Sequence, residues 1–248
     1  MSAALHAYAL ALEPARRRVA EGEELGRLLA ANTDPGQLHA FLIQWASLSL
    51  QLQEPIELFL GEASRRCAEL GETKLALTLL YVALDAIDLY RLLAEDTRGL
   101  AQLWNGRRLP HLDMTSLLTQ PSTQAIRNCH EQQRLLVIGA SPWAQLAAVF
   151  ELSTLLAAVA DRTLAQAKRL LGDEARLGSL HSRTQPRCSQ LLSKAMDECL
   201  AASVDRHSIM VEAGERSLEL YGEFLLECSV AGFNLSSWQA RRCATSSG

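Results

Sequence analysis

Apolar and polar residues recur with helical spacing along nearly the whole chain, and no segment alternates as a strand would. The pattern predicts helices over about residues 15–31, 37–52, 55–70 and 73–104. Pro14 suits the first turn of the first helix, Gly71 ends the third, and Asn105 and Gly106 end the fourth. Residues 106–122 hold Gly106, Pro110 and Pro121 and read as an irregular connection. Further helices are predicted over about 122–137, 142–171 (with Ser141 as N-cap before Pro142), 175–203 and 204–230. Pro186 falls inside the 175–203 helix and should kink or split it, because proline lacks the N–H and its ring clashes with the preceding turn. With no internal repeat and no long linker, residues 1–233 read as a single all-α domain, a bundle of seven to nine helices. The Ser-rich residues 234–248 read as a flexible tail.

Composition narrows the functional classes. The chain has 248 residues, 48% of them hydrophobic, enough for a substantial core. A net charge of −4 with scattered basic residues speaks against nucleic-acid binding. The run Arg16 to Arg18 and the pair Arg241 and Arg242 read as solvated surface. Six cysteines, at 67, 129, 188, 199, 228 and 243, form no CxxC and no regular framework, so reduced thiols in a cytoplasmic protein are expected. Residues 143–160 barely reach spanning length and include Gln145, Glu151, Ser153 and Thr154, which favours a core helix over a membrane span.

Three groups of residues carry candidate chemistry. Glu151 is the only charge between Pro142 and Ala160, and Ala147, Ala148, Thr154 and Leu155 make its stripe core-like. A carboxylate in such a place needs a partner. It is either a metal ligand or general base, or an acid on a helix flank paired with an arginine. Asp85 and Asp88 are the only charges between Leu75 and Tyr90, and their spacing puts them on one helical face. They suit either a divalent metal or a polar stripe with Arg91 and Lys74 nearby. His181, Gln185 and Cys188 share a face if their helix is continuous. His181 with Cys188 suits a transition metal or an activated thiol; otherwise they are a capping histidine and a buried thiol. His39 above Ile43 is a further, core-facing histidine.

These pieces, in this order, resemble the heme-oxygenase-like helical superfamily. Its members include diiron oxidases and oxygenases, the cofactor-free pyrroloquinoline quinone synthase branch and the thiaminase II branch. Phe41 to Trp45 and Ile56 to Leu60 resemble the family's second and third helices. Ile87 to Tyr90, with Asp96 beyond, resembles the helix that usually reads Glu-Glu-x-x-His-Asp, and Phe150–Glu151 resembles its Glu-bearing fifth core helix. His181, Gln185 and Cys188 resemble its His-x-x-x-Asp-x-x-His. The likeness covers about residues 35–225. Gln185 stands where the family has an acid and Cys188 where it has a histidine. The usual histidine of the fourth helix falls on Ile87 or Asp88, and the usual glutamate on Leu84 or Asp85, depending on register.

The resemblance implies a heme-oxygenase-like bundle and a small-molecule biosynthetic protein of redox type. Its iron site would be altered or lost, drawn from Glu151, His181, Asp85, Asp88 and Cys188, with any iron weakly held because an amide and a thiol suit iron poorly. Two alternatives stand beside it. One is a non-catalytic descendant that binds a ligand or a protein partner. The other is a metal-free enzyme using Cys188, His181 and Glu151. The surplus apolar helix surface predicts a homodimer.

Overall fold

Ser2 begins the chain's first helix by accepting a hydrogen bond from the Leu5 N–H, well before the start expected at residue 15. In this computed structural model, residues 2–184 and 186–245 are described, with side chains except at 186–189 and 238–245. Helix α1 spans Ala3–Ala20 and carries Pro14 in its interior rather than its first turn. What holds it is the buried stripe Leu5, Tyr8, Leu12 and Ala15, which outweighs the hydrogen bond lost at Pro14. A short helix α2 (Glu23–Leu28) follows, and then α3 (Pro35–Gln53), whose cap Asp34 accepts from the Gln37 N–H. Helix α3 is buried along almost its whole length, so it runs through the bundle centre. Next come α4 (Ile56–Glu69) and the long α5 (Thr73–Asn105).

The connection after α5 contains one short helix, α6 (Met114–Leu118), capped by Asp113. Helix α7 (Gln124–Ile138) starts from the Thr123 cap. A 3-10 turn at Pro142–Ala144 leads into α8 (Gln145–Leu171); Ser141 makes no side-chain cap there. Helix α8 with this turn is long and apolar enough to cross a membrane, but 61% of its most apolar window is buried against the other helices, as befits a core helix. Pro186 splits the next helix into α9 (Gly178–Arg183) and α10 (Pro186–Ala202), where it occupies the first helical position. The last helix, α11 (Asp205–Thr245), continues into the region expected to be a tail. Leu235 packs on the core, and the Ser236 and Ser237 hydroxyls bond to the carbonyls of Phe233 and Asn234.

The described residues are all-α, with no strand among them. Helix α11 packs against α3, α8, α1 and α7, while α5 lies across α3 and α4. Two glycines let α11 sit deep. A Cβ at Gly232 would lie 2.8 Å from the Phe41 backbone nitrogen on α3. A Cβ at Gly214 would lie 2.6 Å from both the Tyr8 hydroxyl and Leu12 Cδ1 on α1, and 3.0 Å from Glu151 Cγ on α8. Gly214 thus marks the meeting point of α1, α8 and α11.

Candidate functional site: a buried ion pair and a cavity on two faces of one helix

At that meeting point Glu151 is fully buried. Its partner is Arg16, not His181. Arg16 Nε donates to Oε2 at 2.6 Å and Nη2 to Oε1 at 2.8 Å, while Nη1 reaches the Ala9 carbonyl at 3.2 Å. The two-pronged geometry occupies both carboxylate oxygens. Arg16 is therefore not the solvated surface residue its neighbours suggest. With α1 beginning at Ala3, it follows Leu12 by one turn and its head turns inward. The Tyr8 phenol lies beside the carboxylate with no hydrogen-bond partner of regular geometry among the described residues. Burial, then the Glu151 charge, pushes its pKa far above the usual tyrosine value. Burial alone would lower the Arg16 pKa, but the hydrogen bonds and charge of Glu151 prevail and raise it.

The remaining sequence candidates disperse. His181 lies on the short helix α9 and is exposed. The break at Pro186 puts it on a different helix from Cys188, so the shared face that depends on a continuous helix does not form. Gln185 and the Cys188 side chain lie outside the described residues. Asp88 is exposed, with Arg91 4.0 Å away. Asp85 is also exposed, at the edge of a cavity. Among the described residues no three His, Cys, Asp or Glu side chains gather so as to hold a metal. With both oxygens of Glu151 engaged by a guanidinium, the described donors do not fit the iron site that the resemblance implies.

The cavity encloses about 120 Å³ between α3, α4, α5, α7, α8, α9 and α11. Its wall is mainly apolar, with Leu60, Val82, Ala86, Leu89, Val149 and Leu156 among its residues. Ser153 lines it from α8, two positions from Glu151, so the two loci occupy different faces of one helix. Polar groups enter the wall from several elements. Trp45 Nε1 donates to the Tyr221 hydroxyl at 3.0 Å, leaving the phenolic proton without a protein acceptor among the described residues. Burial keeps that phenol neutral. Gln132 Nε2 donates to the Ser217 hydroxyl and the Ala213 carbonyl. Gln133 is held by Gln145. The hydroxyls of Ser49 and Ser153 have no protein partner among the described residues.

Asp96 explains how the α9 side of this wall is placed. Its carboxylate, buried on α5, accepts from the Gly178 and Ser179 N–H groups at 2.7 and 2.9 Å and from the Ser179 hydroxyl at 2.5 Å. These bonds satisfy donors at the start of α9 and orient Ser179, Leu180 and Arg183 toward the cavity. Burial raises the Asp96 pKa, and the three hydrogen bonds hold it back. Cys129, on α7, also lines the wall. Burial, then the Glu223 charge, pushes its thiol up to about 12, so it is protonated at neutral pH.

Tyr8, Arg16, Trp45, Cys129, Gln132 and Tyr221 were not singled out by sequence. Helix phase could have found Arg16 and Tyr8 once the Ser2 cap was recognised. Apart from Asp85 at its edge, the cavity residues are ordinary core or helix-flank positions until seven helices are assembled.

No protein-family model matches the chain, and no curated protein matches it. Among solved structures, a TenA homolog from Pseudomonas syringae pv. tomato matches with a TM-score of 0.67 over 91% of this chain and 92% of that one, at 12% identity. At that identity the likeness speaks for fold alone. The chain has the all-α TenA-like fold, which supports, at the level of fold, the heme-oxygenase-like bundle that the sequence motifs resemble.

Proposed function

We propose that the chain binds a small, largely apolar organic molecule carrying neutral hydrogen-bonding groups, in the cavity beneath α5. The observation that carries this reading is the lining itself. An apolar wall with a few convergent polar groups is the usual make-up of a small-molecule site. Among the described residues the hydroxyls of Ser49 and Ser153 and the phenolic proton of Tyr221 have no protein partner, and they offer donors and acceptors of no net charge. A ligand-binding descendant of the fold accounts for the site better than the redox reading, because the described carboxylates and histidine do not assemble as iron ligands. It also fits better than acid–base work by Glu151, whose charge Arg16 already neutralises.

The test is a thermal-shift series with neutral aromatic amides and alcohols, benzamide and benzyl alcohol among them. Binding should raise the melting temperature of the wild type. Ala86→Phe, which projects a ring into the cavity from α5, should keep the helical circular dichroism and lose the shift. Equal shifts in both proteins would reject the cavity as the site.

The position of Cys129 favours a second reading, a thiol-dependent reaction in the same cavity. It requires the bound molecule to bring the thiol far below a pKa of about 12. Cys129→Ser that binds and turns over like wild type would exclude it.

A further inference from the structure

Helix α5 turns a second apolar face away from the cavity. Leu77, Leu80, Tyr81, Leu84 and Ile87 recur at the spacing of a single stripe, and each is between 46% and 58% exposed. Such a run is unusual on an outer surface. Lys74 brackets it at the N-terminal end and Asp88 at the C-terminal end. Both are exposed on their side chains, at 84% and 78%, and each has its ion-pair partner only at 4.0 Å: Glu198 for Lys74 and Arg91 for Asp88.

We propose that this face receives a second copy of the chain, with the two α5 helices crossing antiparallel about a two-fold axis. The pattern complements itself in that direction. Leu77 of one copy then meets Ile87 of the other, and Leu80 meets Leu84. Each Lys74 falls within one turn of the other copy's Asp88. A parallel crossing would instead set Lys74 against Lys74 and Asp88 against Asp88, so the bracketing charges select the antiparallel arrangement. A two-fold contact uses one patch twice, which a single self-complementary stripe satisfies. The five apolar side chains offer on the order of 500 Å² per copy, hence on the order of 1,000 Å² per pair. The flanking stems bring this to the lower end of stable interfaces, a dimer that forms at tens of micromolar and dissociates on dilution. The contact would also lie beside the cavity, since Val82, Asp85 and Ala86 of the same helix line it.

Sedimentation velocity on the full chain tests this. At tens of micromolar the wild type should run at twice the monomer mass, and Leu84→Glu should run as monomer with unchanged circular dichroism. Lys74→Asp and Asp88→Lys should each weaken the dimer at least tenfold, and the two together should restore it. These charged positions are exposed, so their effects do not depend on folding. A wild type that stays monomeric overturns the proposal. So does a dimer indifferent to Leu84→Glu. A double variant that fails to recover while Leu84→Glu still dissociates the dimer overturns the antiparallel arrangement.

Discussion

Two faces of α8 treat polar groups in opposite ways. On one face Glu151 is buried, and the chain satisfies it completely with Arg16, a residue 135 positions away in sequence. On the other face, Ser153 meets a cavity and has no protein hydrogen-bond partner among the described residues. The first arrangement is closed: the charge is cancelled and both oxygens are occupied. The second is open, because it keeps hydrogen-bonding capacity for something the chain does not supply. A charge standing alone in an apolar run therefore identifies a demand for a partner, and fold alone decides whether protein or ligand meets it. Here the conspicuous residue is paired within the protein, and the inconspicuous ones line the cavity of the proposed site.

The largest expected effect breaks the closed side. Arg16→Ala leaves a fully buried carboxylate without its cation, which should destabilise the fold by about 3–5 kcal/mol in urea unfolding. Glu151→Leu should cost less, since Arg16 keeps a route to solvent at 14% exposure. Arg16→Met with Glu151→Leu should recover most of the loss, because an apolar pair of similar volume avoids desolvating two charges. If Glu151→Leu instead left stability intact and abolished binding of the cavity probes, the division between the two faces would fail.

A smaller effect comes from His39, a polar group in the core that is only half satisfied. Its Nε2–H donates to the Leu100 carbonyl at 2.9 Å, while Nδ1 is buried without a partner among the described residues and the ring meets Trp104 edge-on. Burial, opposed by that carbonyl and reinforced by Arg108 and Arg107, lowers its pKa from 6.5 to about 4. The unfolded chain therefore binds this proton more readily than the folded one. The stability involved is fully present above about pH 6.5 and is lost as pH falls toward 4, by about 3 kcal/mol at most. Urea midpoints at pH 7 and pH 4.5 should differ less in His39→Gln than in the wild type, because glutamine can donate to Leu100 without titrating. An equal drop in both proteins would show that other groups carry the acid sensitivity.

Much of the fold was legible because its signals are local. The α4 stop at Gly71, the long α5 and the break at Pro186 follow from backbone restrictions that any context preserves. The start of α1 was missed because Pro14 looks like a first-turn proline, whereas the Ser2 cap and the Leu5–Tyr8–Leu12 stripe place it inside a helix. With Pro14 taken as the first turn, Arg16 falls in a run that looks solvated, which hides the partner of Glu151. The burial of Glu151 was legible from its neighbours; its pairing was not, since it depends on two helices distant in sequence. The cavity was illegible for a stronger reason. A void is defined by what seven elements fail to fill, and apart from Asp85 at its edge the wall residues do not depart from ordinary core or helix-flank composition.

The smallest expected effect is the one that sharpens the contrast most. Ser49→Ala and Ser153→Ala each remove a hydroxyl that makes no protein hydrogen bond among the described residues. Neither leaves a protein donor or acceptor newly orphaned, and each alters only the cavity wall. Stability should therefore change by no more than about 0.5 kcal/mol, against several for Arg16→Ala. Binding should respond differently. A ligand group that bonds to either hydroxyl loses about 1 kcal/mol, or roughly fivefold in affinity, when the hydroxyl is removed. Isothermal titration with the tightest-binding amide or alcohol from the thermal-shift series would read that loss directly. Substantial destabilisation by either substitution would mean that the hydroxyl serves the fold, and the open face of α8 would then be as structural as the closed one.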